Sequence, residues 1–221
     1  MAPRNRRTLD PVLSSQVDVA VGHLKRGGVV AIPTDTLYGL AASAVDPEAV
    51  ARVFEIKGRP AGMAMPVLLA DAEDIELYAS DISEVARELA RRFWPGPLSM
   101  VLRRSAALPD AATAGGDTVA LRVPDHPVPR AIARRLGAPI TGTSANPRGQ
   151  PPATTAAAVQ EQLGDAVNLV VDAGESPIGE GSTVLDTTGP TLIILRAGAV
   201  SIADISDATG MPVKPPVGAG L

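Results

Sequence analysis

Val29-Val30-Ala31-Ile32-Pro33-Thr34-Asp35-Thr36-Leu37-Tyr38-Gly39-Leu40 passes from an unbroken apolar run into a turn crowded with polar side chains. Gly27-Gly28 closes whatever precedes the run, and four residues rich in β-branched side chains read as a buried strand. Two threonines, an aspartate and a tyrosine within five residues exceed what a turn between strands needs. Ligands in open α/β sheets bind at such strand ends.

Upstream, Asp10-Pro11 is an N-cap followed by proline at the first helical position, which predicts a helix to about Lys25. Downstream, Asp46-Pro47 repeats the signal for a helix towards Lys57, and Pro66–Ala70 is a second buried strand. Ile82, Val85, Ala86, Leu89, Ala90 and Phe93 share one face of a helix, stopped by Trp94-Pro-Gly-Pro97. Strands at Leu98–Leu102 and Val119–Val123, a helix at Val128–Leu136 and a strand entering Ile140 follow. Thr154 is expected to cap a helix to Leu163, ahead of a strand at Asn168–Asp172. Thr183–Asp186 and Thr191–Leu195 flank Thr187-Thr-Gly-Pro190 as a hairpin. Helices and strands are interspersed throughout, so the class is α/β or α+β with a mixed sheet. Residues 9–206 are expected to form one domain and 207–221 a loosely ordered tail.

The chain has 221 residues and no cysteine, which removes disulfides, thiolate zinc sites and a cysteine nucleophile together. No secretory or membrane-spanning pattern appears, so a cytoplasmic protein is expected. A formal charge of −4 argues against non-specific nucleic-acid binding, and the scarcity of aromatics argues against a base-stacking surface. A local basic groove is left open.

Polar residues recur at other strand or helix exits. Lys57-Gly-Arg-Pro60 places two cations beyond a helix C-terminus, where they either complement the helix dipole or turn together onto an anion such as polyphosphate. Thr141-Gly-Thr-Ser-Ala-Asn-Pro-Arg-Gly149 nearly matches a hydrolase nucleophile elbow, but Asn146 replaces the second glycine. The only histidines, His23 and His126, read as surface and turn residues, which weakens an acyl hydrolase using Ser144. Gly181-Ser-Thr-Val-Leu-Asp186 and Leu195-Arg-Ala-Gly198 frame the hairpin. Standard phosphate loops and dinucleotide fingerprints are absent.

In order, these segments resemble the YrdC family of threonylcarbamoyl-AMP synthases, from Gly28 to about Gly198. The resemblance rests on Pro33-Thr-Asp-Thr-x-Tyr-Gly-Leu40, Lys57-x-Arg-Pro60, Pro95-Gly-Pro97, Arg122-x-Pro124, Ser144-Ala-Asn146, Ser182-Thr183 and Arg196-x-Gly198. It implies a twisted, mostly open sheet with helices around a concave, positively lined cavity. It also implies that L-threonine, bicarbonate and ATP give threonylcarbamoyl-AMP and pyrophosphate, for the t6A modification at position 37 of tRNA. Thr36, Arg122, Ser144 and Ser182 would hold the threonine. Lys57, Arg59, Thr118, Asn146, Thr154 and Arg196 would hold the nucleotide, with Lys57 and Arg59 catalytic and Mg²⁺ accompanying ATP. No protein-bound metal is implied. Downstream tRNA-modifying transferases are the expected partners, a weak tRNA contact is left open, and no membrane is involved. Met63, Leu68 and Arg148 depart from the family pattern, and Asp35 is left to orient the loop or a metal. The short, single-domain form of the family is expected. An RNA-binding module using the same concave surface is the alternative.

An anionic carbamate attacking the α-phosphorus of ATP needs charge neutralisation and alignment more than a strong base. That suits a motif set of Lys, Arg and hydroxyls without a catalytic His or Cys.

Overall fold

The computed structural model describes residues 9–58 and 65–216. Arg59, Pro60 and Met63, singled out above, lie outside the described residues. The first half holds α1 (Pro11–Lys25), β1 (Val30–Ile32), β2 (Gly39–Ala41), α2 (Pro47–Lys57), β3 (Val67–Leu68), α3 (Ile75–Tyr78), β4 (Ala79–Ser80) and α4 (Glu84–Phe93). Then come β5 (Leu98–Arg104), α5 (Asp110–Thr113), β6 (Thr118–Arg122), α6 (Pro127–Leu136), β7 (Ile140–Thr141) and β8 (Thr143–Ser144). The rest is α7 (Ala156–Leu163), β9 (Leu169–Val170), β10 (Thr183–Asp186), β11 (Leu192–Arg196), α8 (Ile202–Thr209) and β12 (Val213–Lys214).

Local chemistry sets the helix ends. The Asp10 side chain accepts the Leu13 N–H, the Asp46 side chain accepts those of Glu48 and Ala49, and each cap precedes a proline. Gly58, at φ +58°, turns the chain sharply off α2, a conformation that costs glycine little. The cap of α7 is Thr155, whose hydroxyl accepts the Ala158 N–H, and not Thr154. Adjacent threonines carry the same sequence signal, and only backbone direction separates them.

Two mixed sheets form in place of one. A four-stranded sheet runs β8-β2-β1-β9, and a larger one runs β12-β11-β10-β5-β6-β3-β7, with β4 added on β5. They join at Gly142. Ile140–Thr141 pairs with β3 in the large sheet, and Thr143–Ser144 pairs with β2 in the small one. Gly142 makes the corner, donating its N–H to the Pro66 carbonyl at 2.8 Å. A Cβ there would lie 2.6 Å from Leu68 Cγ, so only glycine lets the two sheets approach this closely.

The apolar run at 29–32 is buried on both faces. Val29 and Ala31 pack with α2 and α7, whereas Val30 and Ile32 pack with α1 and α6. That explains an unbroken apolar strand where a one-sided strand would alternate. Trp94, Leu89, Leu98 and Met100 centre a third cluster between the large sheet and α4 and α8.

Of the segment expected to be a loose tail, residues 207–216 are among those described. Gly210 closes α8, Val213–Lys214 pairs in parallel with Leu192–Ile193, and Met211 and Val213 pack on the third cluster. Pro and Gly punctuate this segment without preventing a short edge strand.

Candidate active site

A cavity of about 720 Å³ opens where the two sheets meet. Of the residues expected to bind ligand, Thr36, Lys57, Arg122, Ser144, Asn146, Ser182 and Arg196 all line it. Thr118 and Thr154 do not. Thr118 begins β6 on the same face as the lining residues Ala120 and Arg122, further along the strand. Thr154 uses its carbonyl to accept the Ser176 N–H. Arg59 lies outside the described residues.

The turn after β1 is built around Thr34. Its hydroxyl donates to the Leu37 carbonyl at 2.6 Å, accepts the N–H groups of Thr36 and Leu37, and lies 2.9 Å from the Thr36 hydroxyl. These bonds aim Thr36 at Arg122 on β6. The Arg122 guanidinium, only 5% exposed, donates from Nε to the Gly96 carbonyl at 2.9 Å and from Nη1 to Thr36 Oγ1 at 3.0 Å. Its Nη2 is bonded to Asp35.

The Pro95-Gly96-Pro97 motif therefore shapes a turn whose carbonyl orients this arginine. A Cβ on Gly96 would overlap the Phe93 carbonyl oxygen. Burial pushes the Asp35 carboxyl above its usual range and the Arg122 guanidinium below its own, each shift opposed by the other's charge. Nη1 and Nη2 each carry a second N–H, so Arg122 can still present a fork to a ligand carboxylate.

Lys57, the last residue of α2, is buried. Its ammonium donates to the Ser144 carbonyl and the Asn146 carbonyl, both at 2.7 Å. It also donates to Asn146 Oδ1 at 3.0 Å and Ser144 Oγ at 3.2 Å. The Asn146 amide in turn donates to the Gln150 carbonyl at 2.6 Å. Lys-x-Arg and Ser-Ala-Asn are thus one unit: the lysine holds the exit of β8 in shape.

On the opposite wall, Arg196 Nη2 donates to Ser182 O at 2.7 Å and Ser182 Oγ at 2.9 Å, and Ser182 Oγ pairs with Ser99 Oγ at 2.9 Å. Gly198 makes this possible. A Cβ there would overlap the Gly181 carbonyl oxygen and stand 2.6 Å from the Ser182 carbon.

Lys57, Arg122, Arg148 and Arg196 line the cavity, and among the described residues no carboxylate and no histidine does. Asp35, behind Arg122, is the acid paired with this set among the described residues. An acidic protein thus carries a cationic cleft that suits an anion-rich ligand.

Sequence reading missed Ser99 and Asp35's pairing with Arg122. A lone serine within the apolar Leu98–Leu102 strand was the available signal for the first. Leu68, at a departure from the family pattern, lines the cavity against Gly142, so an apolar wall stands there.

The Sua5/YciO/YrdC family model, described as telomere recombination, matches residues 22–198. The chain belongs to this family. Similar proteins include a threonylcarbamoyl-AMP synthase of Pyrococcus abyssi, 40% identical over 88% of this chain and 57% of that protein. A putative threonylcarbamoyl-AMP synthase of Mycobacterium tuberculosis is 43% identical over 87% of this chain and 88% of its own. The chain thus spans little more than half of the Pyrococcus protein and most of the mycobacterial one. Among solved structures, Sua5 of P. abyssi complexed with L-threonine superposes with a TM-score of 0.86 at 40% identity, covering 89% of this chain and 58% of that one. YciO of Escherichia coli gives 0.79 at 25% identity, over 89% and 95%. The mixed α/β architecture and the resemblance of the motifs are those of the Sua5/YciO/YrdC family.

Proposed function

We propose that this chain is an L-threonylcarbamoyladenylate synthase, condensing L-threonine, bicarbonate-derived carbon dioxide and MgATP. The observation that carries the reading is the cavity itself: four cations and a set of inward hydroxyls with no carboxylate among the lining residues described. The likeness to a Sua5 complexed with L-threonine supports it.

Arg122 holds the threonine carboxylate through its two remaining N–H groups, with Thr36, Ser144 and Ser182 within the same cavity for the hydroxyl and amine. The threonine amine attacks carbon dioxide and loses a proton to solvent, giving a carbamate. A carbamate oxygen then bonds to the α-phosphorus, the bond to the bridging oxygen breaks, and its electron pair leaves on pyrophosphate. Lys57 fixes the Ser144–Asn146 edge against which the nucleotide is aligned, a positioning role. Arg59 and Arg196 are assigned to offset charge on the nucleotide.

Among the described residues no three His, Asp or Glu side chains are grouped to hold a metal ion. We assign Mg²⁺ to the substrate, entering on the phosphates of ATP. The product would feed a transferase that modifies tRNA, and we assign the reaction to the cytoplasm. Among the described residues no helix is long and apolar enough to cross a membrane.

Purified protein with MgATP should release pyrophosphate only when both L-threonine and bicarbonate are added. Release without threonine, or none from folded protein, contradicts the proposal. Tight, salt-sensitive RNA binding without turnover would point to an RNA module instead.

A further inference from the structure

We propose that Arg148 receives the β- and γ-phosphates of ATP and holds them as they depart as pyrophosphate; this deepens the function proposed above and rests on it. Among the described residues, three of the four cations that line the cavity already bond to the protein. Lys57 is bonded to four oxygens of Ser144 and Asn146, Arg122 to Gly96, Thr36 and Asp35, and Arg196 to Ser182. Arg148 lines the same cavity, and its guanidinium has no hydrogen bond or ion pair with any described residue.

An exposed arginine is ordinarily a solvated group of little consequence. The backbone of Arg148 makes it different. Its N–H donates to the Lys57 carbonyl at 3.0 Å, which fixes its Cα to the end of α2. It stands inside a turn closed by the Gln150 N–H on the Pro147 carbonyl at 3.1 Å, and Asn146 Nδ2 clamps that turn through the Gln150 carbonyl. Gly149, at φ +84°, lets the chain fold back on itself after Arg148.

Among the described residues, the one cavity cation without a side-chain partner is therefore carried on a braced turn, on the wall where Lys57 and Asn146 lie. A planar fork there matches phosphate oxygens bidentately. When the bond between α-phosphorus and bridging oxygen breaks, negative charge builds on the leaving pyrophosphate. An arginine at the opening is suited to stabilise it before release. Because the site is open to water, the contribution is screened by salt.

The test compares wild type, Arg148→Ala, Arg148→Lys and the control Arg26→Ala, an exposed arginine at the end of α1 outside the cavity lining. KM for MgATP, product inhibition by pyrophosphate and KM for threonine are measured at low and high ionic strength. Arg148→Ala should raise the ATP KM and the pyrophosphate inhibition constant roughly tenfold, as expected for one lost charged hydrogen bond. The threonine KM should stay within about twofold, and the difference should narrow at high salt. Arg148→Lys should recover part of the loss, and Arg26→Ala should match wild type. ATP and pyrophosphate constants unchanged in Arg148→Ala overturn the inference while leaving the synthase reading intact. An equal rise in the threonine KM overturns it too, showing a distorted cavity. Wild-type protein that releases no pyrophosphate with all three substrates overturns the synthase reading and this inference with it.

Discussion

Lys57 and Arg122 show that a cation in an anion-binding cavity can act first on its own chain. The Lys57 ammonium is saturated by oxygens of Ser144 and Asn146. Lys57→Met should therefore lower the melting temperature by several degrees as well as reduce turnover. It leaves buried carbonyls unpaired at about 1–3 kcal/mol each, and 1 kcal/mol shifts a domain of this size by ~2–4 °C. A cation acting on phosphate alone would lower turnover without moving the melt, so thermal unfolding beside pyrophosphate release separates the two roles. Arg122 makes a second case. Removing either member of the buried Arg122–Asp35 pair strands the other, at about 3–5 kcal/mol. In chemical denaturation, Arg122→Gln combined with Asp35→Asn should cost clearly less than the sum of the single changes. In kinetics, Arg122→Gln should raise the threonine KM at least tenfold. Additive stabilities would show that the pair is not coupled.

At the scale of elements, the site depends on how closely strands approach. Gly198→Ala must push β11 away from the start of β10, because the added Cβ overlaps the Gly181 carbonyl. A loss of at least about 2 kcal/mol, with reduced turnover from displacement of Arg196 and Ser182, is expected from denaturant curves and assay. The exit of β3 is tied to α6 through Asp71, which Arg130 and Arg134 both engage. Partial burial alone would raise its carboxyl, but the two arginines outweigh it and hold it below its usual 3.8. That stability is present at neutral pH and is lost as pH falls through the depressed value. Asp71→Asn should be less stable than wild type by about 1 kcal/mol at pH 7, with the gap closing as pH falls through the depressed carboxyl value. Much at this scale was legible. Asp10-Pro11 and Asp46-Pro47 marked helix starts that the structure reproduces, because capping and proline chemistry are local. The four-residue helices α3 and α5 are too short to show a periodicity, and neither was anticipated. The division into two sheets was hidden as well, since it turns on two-residue strands either side of Gly142. The cavity residues were readable as types at strand exits. Their partnerships were not: Arg122 meets Asp35 across 87 residues and Ser99 meets Ser182 across 83, separations only strand register can resolve.

Across the whole molecule, a chain of net charge −4 gathers its functional cations into one cleft at the junction of two sheets. Remote acids lower the overall charge while the nearest carboxylate, Asp35, is committed to orienting Arg122. The cleft can then attract polyphosphate without making the whole surface a nucleic-acid binder. Steering of this kind weakens with salt, so kcat/KM for MgATP should fall as ionic strength rises while kcat changes little. A flat salt profile would mean that the cleft's charge does not guide substrate. The central claim is that this cleft joins threonine, carbon dioxide and the adenylate of ATP. It is tested most directly by supplying ¹⁴C-bicarbonate with MgATP and L-threonine and separating the nucleotide products at once. The account predicts label in an AMP-containing product that requires threonine and disappears in folded Arg122→Gln protein. Pyrophosphate release with no label entering a nucleotide, or label that appears without threonine, would contradict it.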